Sequence, residues 1–223
     1  MNESINKKIS ALSEDIHQNP NDPGLRIALA NLYLKESRNE EALAELKSAM
    51  ELKSDDANVL RLLGSTAMAL GRYNDAFEGL KAALSLNPDD PLANHQLGIL
   101  YDRLGQYDDA ITFYKAAIGI NVDFSEAHLD LAMVLDQMER FEEAIKEYEE
   151  VLRLGTDEIE VYFRLGLLYD SFMDAENAMR YTVRAQELAK EQKENIWLAN
   201  TSKSIRILSQ RYNLNPDNFT NKD

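Results

Sequence analysis

A leucine followed by a small residue recurs every 34 residues along this chain, as Leu29-Ala30, Leu63-Gly64, Leu97-Gly98, Leu131-Ala132 and Leu165-Gly166. A second small column follows twelve residues later, at Ala42, Ala76, Ala110, Ala144 and Ala178. No insertion disturbs the period, so five equal units fit: 23–56, 57–90, 91–124, 125–158 and 159–192. A fixed period in the range of about 20 to 50 residues means that one supersecondary unit is stacked on copies of itself. Every other assignment has to respect that constraint.

Within the unit "PLANHQLGILYDRLGQYDDAITFYKAAIGIN", apolar residues fall at helical spacing, and "RLGQYDD" breaks the pattern with a glycine followed by helix-starting aspartates. Each unit therefore reads as two antiparallel helices. Asp22-Pro23 and Asp90-Pro91 place a capping acid before a proline suited to the first helical position, and Pro88 stops the helix before it. The small columns have a steric reason, since two helices approach closely only where neither carries bulk at the crossing. Tyr101, Tyr107, Tyr114, Phe141 and Tyr148 supply the volume around those crossings.

A stacked array exposes an apolar edge at each end and needs covers. Residues 1–22 read as an N-terminal capping segment, with Ile5, Ile9, Leu12 and Ile16 forming a stripe on a helix over 3–18. Residues 193–212 read as a C-terminal capping helix with Leu198, Ile205, Leu208 and Tyr212 on one face and Lys203, Arg206 and Arg211 on the other. Trp197 is expected to cover the last repeat's apolar edge. Residues 213–223 read as a polar, mobile tail in which Phe219 is the residue able to dock.

The 34-residue period and the Leu-Gly, Tyr, Ala, aromatic, Ala and Pro columns resemble tetratricopeptide repeats over residues 23 to 192. The resemblance implies an all-α fold, a right-handed superhelix (α-solenoid) of antiparallel helix pairs. The sequence departs from the family pattern at Arg26 and His128, where a large aromatic is usual, at Thr182, where a bulky residue is usual, and at Val122, Thr156 and Lys190, which replace the proline. The resemblance further implies that the first helix of each pair lines a concave groove. Its first row would then be Ile27, Arg61, His95, Leu129 and Phe163, its second Asn31, Ser65, Ile99, Met133 and Leu167, and its third Leu34, Met68, Asp102, Asp136 and Asp170.

Read this way, the groove is mixed and polar over the first two repeats. In the last three, Ile99, Leu129, Met133, Phe163 and Leu167 form an apolar strip bordered by Asp102, Asp136 and Asp170, with Arg61 and His95 leading into it. Exposed apolar residues gathered on one face mark an interaction site, and the acids suit a ligand with apolar anchors and basic flanks. Descent of the repeats from one ancestor, or pairing with neighbouring arginines, would account for the same acids without a ligand. Repeats of this family that grip acidic chaperone tails use lysine, arginine and asparagine on these faces. Here Asn31 fits that pattern, but Ile27 and the later leucines and aspartates do not.

Composition narrows the partner. Lys and Arg number 24 against 39 Asp and Glu, a formal charge of -15, and the bases are scattered, which speaks against nucleic acid. Cysteine is absent, "MNESINKKIS" lacks the apolar core of a secretory signal, and no run approaches the ~20 apolar residues of a membrane span, so a cytoplasmic location is expected. No phosphate-binding glycine loop, His-Glu-x-x-His pattern or nucleophile-base spacing occurs, so no cofactor, metal or catalytic residue is assigned. The expectation is a non-enzymatic protein-interaction scaffold. The alternative is a self-assembling homo-oligomer whose terminal helix or tail enters the groove or caps the array end of another copy.

Overall fold

The computed structural model describes residues 3–53 and 55–220; residues 1, 2, 54 and 221–223, in the expected cap, the first repeat and the tail, lie outside the described residues. Among the described residues the chain is helical throughout. A single helix, α1 (Glu3–Gln18), precedes five pairs: α2 (Pro23–Lys35) with α3 (Asn39–Leu52), α4 (Ala57–Ala69) with α5 (Tyr73–Leu86), α6 (Pro91–Arg103) with α7 (Tyr107–Ile120), α8 (Ser125–Gln137) with α9 (Phe141–Arg153), and α10 (Ile159–Ser171) with α11 (Ala175–Glu191). A last helix, α12 (Asn195–Tyr212), is followed by a short 3₁₀ turn, Pro216–Phe219. The first helices of the pairs begin at residues 23, 57, 91, 125 and 159, so their starts keep the 34-residue spacing.

Local chemistry sets the ends of these helices. Asp56 accepts from the amides of Asn58 and Val59, Asp90 from those of Leu92 and Ala93, and Asp22 from that of Gly24. The second helices lack a side-chain cap at Arg38, Arg72, Gln106 and Arg140. Acids in their first turns, such as Glu40 and Glu41 or Asp108 and Asp109, face the positive helix end instead. Between the two helices of every pair one residue turns left-handed: Ser37, Gly71, Gly105, Glu139 and Met173. The amide after it donates back to a carbonyl five residues earlier, at 2.9 Å from Arg38 to Tyr33 and from Gln106 to Tyr101.

Packing follows the columns. Ala42, Ala76, Ala110, Ala144 and Ala178 are fully buried, and Leu46, Leu80, Tyr114 and Tyr148 sit opposite Ala30, Gly64, Gly98 and Ala132 in the core. The departures at Arg26 and His128 have one explanation. Arg26 pairs with Glu45 at 3.0 Å, and His128, three repeats on, meets Glu147 at 2.6 Å. In the last repeat the same two columns hold Tyr162 and Tyr181, whose rings lie 6.3 Å apart. In the first and fourth repeats a polar pair thus stands where the last repeat has an aromatic one, each cation or imidazole meeting a carboxylate, although the buried Nε of Arg26 has no hydrogen-bond partner among the described residues.

Contacts divide the chain into two compact units, the first ending at Val122 and the second beginning at Asp123. In the second unit the tail is folded. Asn213 turns the backbone left-handed after α12, and Leu214 and Phe219 then pack with Tyr212 against a cluster of Ala178, Met179, Val183, Ile205 and Leu208. The apolar residues of an otherwise polar tail bring it back onto α11.

Candidate functional site

The candidate residues of the first unit are largely engaged in holding repeats together. The Arg61 guanidinium lies 3.4 Å from Asp90, the acid that caps α6, and donates to Asn58 at 2.7 Å. It ties α4 to the start of α6. Met68 is buried, Ile99 packs against the cluster of Ala67, Met68, Leu80, Leu97 and Leu100, and the His95 ring stands 5.7 Å from that of Tyr114. Asp102 is half-buried near the end of α6.

In the second unit α8 and α10 carry the rest. Met133 is 47% exposed and Leu167 is 44% exposed, each at the same position of its helix, while Leu129 and Phe163, one turn earlier, are half-buried. Exposed apolar side chains at equivalent positions of two helices leave a face that nothing within the chain covers. Asp136 and Asp170 sit one turn later. Asp136 lies 3.5 Å from Arg164 of α10, and burial raises its carboxyl above the ordinary value against the opposing pull of that arginine. Burial, with the Asp136 charge second, raises the nearby Tyr148 phenol as well.

Asp170 has a different environment. Arg211 donates to it at 2.6 Å and the Tyr212 hydroxyl at 2.7 Å, both from the end of α12. The acid that reads from sequence as a groove charge therefore also clamps the terminal helix. Trp197, near the start of that helix, meets Phe163 edge-on, with ring centroids 5.6 Å apart. Between the two attachments a cavity of about 150 Å³ lies under α12, lined by Gly166, Thr182, Ser204 and Leu208 among others. Threonine at a column that elsewhere holds leucine or tyrosine leaves that space open.

Trp197 was absent from the groove rows read from sequence, although it stands 34 residues after Phe163. Position 197 lies past the fifth unit, which ends at residue 192, so rows read from the five units do not reach it. Among the described residues no helix is long and apolar enough to cross a membrane, and no group of three or more acidic, histidine or cysteine side chains is placed to hold a metal ion.

A tetratricopeptide repeat profile matches residues 67–124 and 103–165, and a second tetratricopeptide repeat profile matches residues 2–59. No curated protein matches the sequence. Among solved structures, the chain is similar to PilF of Pseudomonas aeruginosa at 18% identity and a TM-score of 0.77, with 90% of each chain covered. It is similar to MamA, residue 41 to the end, from Desulfovibrio magneticus RS-1 at 24% identity and a TM-score of 0.67, over 76% of this chain and 96% of that one. It is also similar to YrrB, described as a tetratricopeptide protein with an unusual peptide-binding site, at 22% identity and a TM-score of 0.65, over 86% of this chain and 98% of that one. At these identities the likeness speaks for the fold.

Proposed function

This chain belongs to the tetratricopeptide repeat family, and from that premise we propose that it is a non-enzymatic scaffold that holds a segment of a partner protein on the face formed by α8 and α10. The observation that carries this reading is the exposure of Met133 and Leu167 at equivalent positions beside half-buried Leu129 and Phe163. Methionine and leucine side chains left open to water on one face gain most when a partner's apolar surface covers them. Asp136, beside them, favours a partner with basic flanks. YrrB, a structural neighbour, is a tetratricopeptide protein with a peptide-binding site, which supports the same class of function. Self-association in which the terminal helix or tail leaves its own chain to enter the groove of another copy would have to displace Arg211 from Asp170 and Phe219 from its cluster, which favours the scaffold reading over that form of assembly.

A photo-activatable side chain placed at position 133 or 167, and at the exposed Lys146 of α9 as a control, tests the assignment. The same partner should be captured from 133 and 167 and not from 146. Equal capture from all three positions, or capture from 146 alone, removes this face from the account.

A further inference from the structure

The cavity under α12 is what a shortened side chain leaves. At the column that Thr182 occupies, the earlier repeats hold Leu46, Leu80, Tyr114 and Tyr148, and both tyrosines are buried. In the third repeat the Tyr114 ring lies so close to Gly98 that a β-carbon there would collide with it. In the fifth the Thr182 hydroxyl oxygen lies just as close to Gly166, the residue equivalent to Gly98, and it donates to the Ala178 carbonyl at 2.7 Å. The threonine thus fills only the inner end of a position that a whole phenol fills in the two repeats before it. Beside Gly166 and Thr182 a volume of about 150 Å³ stays open. An apolar cavity of that size takes one benzene ring.

The lining suits a ring that carries a polar atom. Leu208 is buried at one wall, while Leu167 and Ile207 are exposed and lead from the cavity to solvent. Asp170, Ser204 and the exposed Arg211 make up the polar part. One repeat earlier, Asp136 stands near enough to the Tyr148 phenol for its charge to act on it, and Asp170 is the residue at the same position of α10. Asp170 accepts from Arg211 and from the Tyr212 hydroxyl. A carboxylate offers about four lone-pair sites, so one more donor can be taken. Leu167 belongs both to this cavity and to the exposed face of α8 and α10, so a segment lying on that face passes its mouth.

We propose, resting on the scaffold reading above, that this cavity is the anchor pocket of the partner-binding face and receives one tyrosine side chain of the partner, with the ring beside Gly166 and Leu208 and the hydroxyl donating to Asp170. The partner thereby supplies the ring that Thr182 does not. A buried aromatic anchor of this kind carries a large share of the affinity of an interface.

The test uses the full chain with para-cresol, the tyrosine side chain as a free molecule, and with toluene, which lacks the hydroxyl. Methyl resonances of Leu167, Ile207 and Leu208 report on the cavity, and those of the exposed Leu86 in the first unit serve as control. Para-cresol should shift the three and saturate, leave Leu86 in place, and bind about fivefold tighter than toluene, the margin of one hydrogen bond. Thr182→Leu restores the side chain that Leu80 places opposite Gly64, and Ser204→Leu fills the cavity from α12. Each should abolish para-cresol binding, and each should lower capture of the partner from a photo-activatable side chain at position 133 about tenfold. With two substitutions on different helices, the test survives if one of them disturbs folding. No saturable shift in the parent, or shifts that persist in both folded variants, overturns the pocket and leaves the scaffold reading intact. Saturable para-cresol binding with capture undiminished in both variants overturns the partner's tyrosine as the occupant, in favour of a free phenol. Absence of capture from both 133 and 167, with the para-cresol shifts in place, overturns the scaffold reading and the partner as source of the ring together.

Discussion

Gly98 lies so close to Tyr114 that a β-carbon there would stand 2.5 Å from two atoms of the buried ring, so the ring or one of the two helices would have to shift. Gly98→Ala should therefore lower stability by about 1–3 kcal/mol in urea denaturation. Gly119 makes the opposite case, because a β-carbon would meet nothing within 4 Å on an exposed part of α7, and Gly119→Ala should raise stability by about 1 kcal/mol. Asp136 is a residue-scale question of charge. Its carboxyl is raised by burial despite Arg164, so the folded chain holds that proton more tightly than the unfolded chain does. The contribution of Asp136 to stability then falls as pH rises from the ordinary carboxylate value through the raised one. Asp136→Asn does not titrate, so its stability relative to the parent should be greater near pH 7 than near pH 3, as measured by denaturation at the two pH values. Tyr181 is pushed up to about 12 by burial and by the charge of Glu149, which accepts from its hydroxyl at 3.2 Å. Glu149→Gln should let that phenol ionise at lower pH, visible in the ultraviolet titration of tyrosine.

At the scale of elements, the turn between paired helices asks for a left-handed residue at one position per repeat. Gly71 and Gly105 adopt it at φ 72°, while Glu139 and Met173 are held at 57° and 58°. Those two carry a β-carbon into a region that disfavours it, and the Met173 side chain is 81% exposed, with little packing to lose. Met173→Gly should raise stability by about 1 kcal/mol, measured by thermal or urea melting. The helix pairs were legible in the sequence because they rest on local signals: capping aspartates, prolines at the first helical position and a small column at every crossing. The attachment of α12 and the tail was not legible. The contact of Arg211 with Asp170 joins residues 41 apart, and the docking of Phe219 depends on a cluster from two helices that no local pattern specifies. For the same reason Asp170 reads from sequence as one more groove acid although its partner comes from the end of the chain. Arg61 was misleading in the same way, since its partner Asp90 is the cap of the next repeat's first helix.

At the scale of the whole molecule, a formal charge of -15 sets the kind of partner that approaches readily. Encounter with a partner segment carrying basic flanks should be fast at low ionic strength and slow as salt rises, whereas apolar contact at Met133 and Leu167 should govern how long the complex lasts. The central claim is that these exposed apolar side chains of the second unit receive the partner. Methionine methyl resonances test it most directly, because Met133 lies on the proposed face and the still more exposed Met173 lies in a turn. On titration with a leucine-rich peptide flanked by lysines the Met133 methyl signal should move and saturate with the binding curve while that of Met173 stays in place. Movement of Met173 with Met133 unmoved would contradict the account.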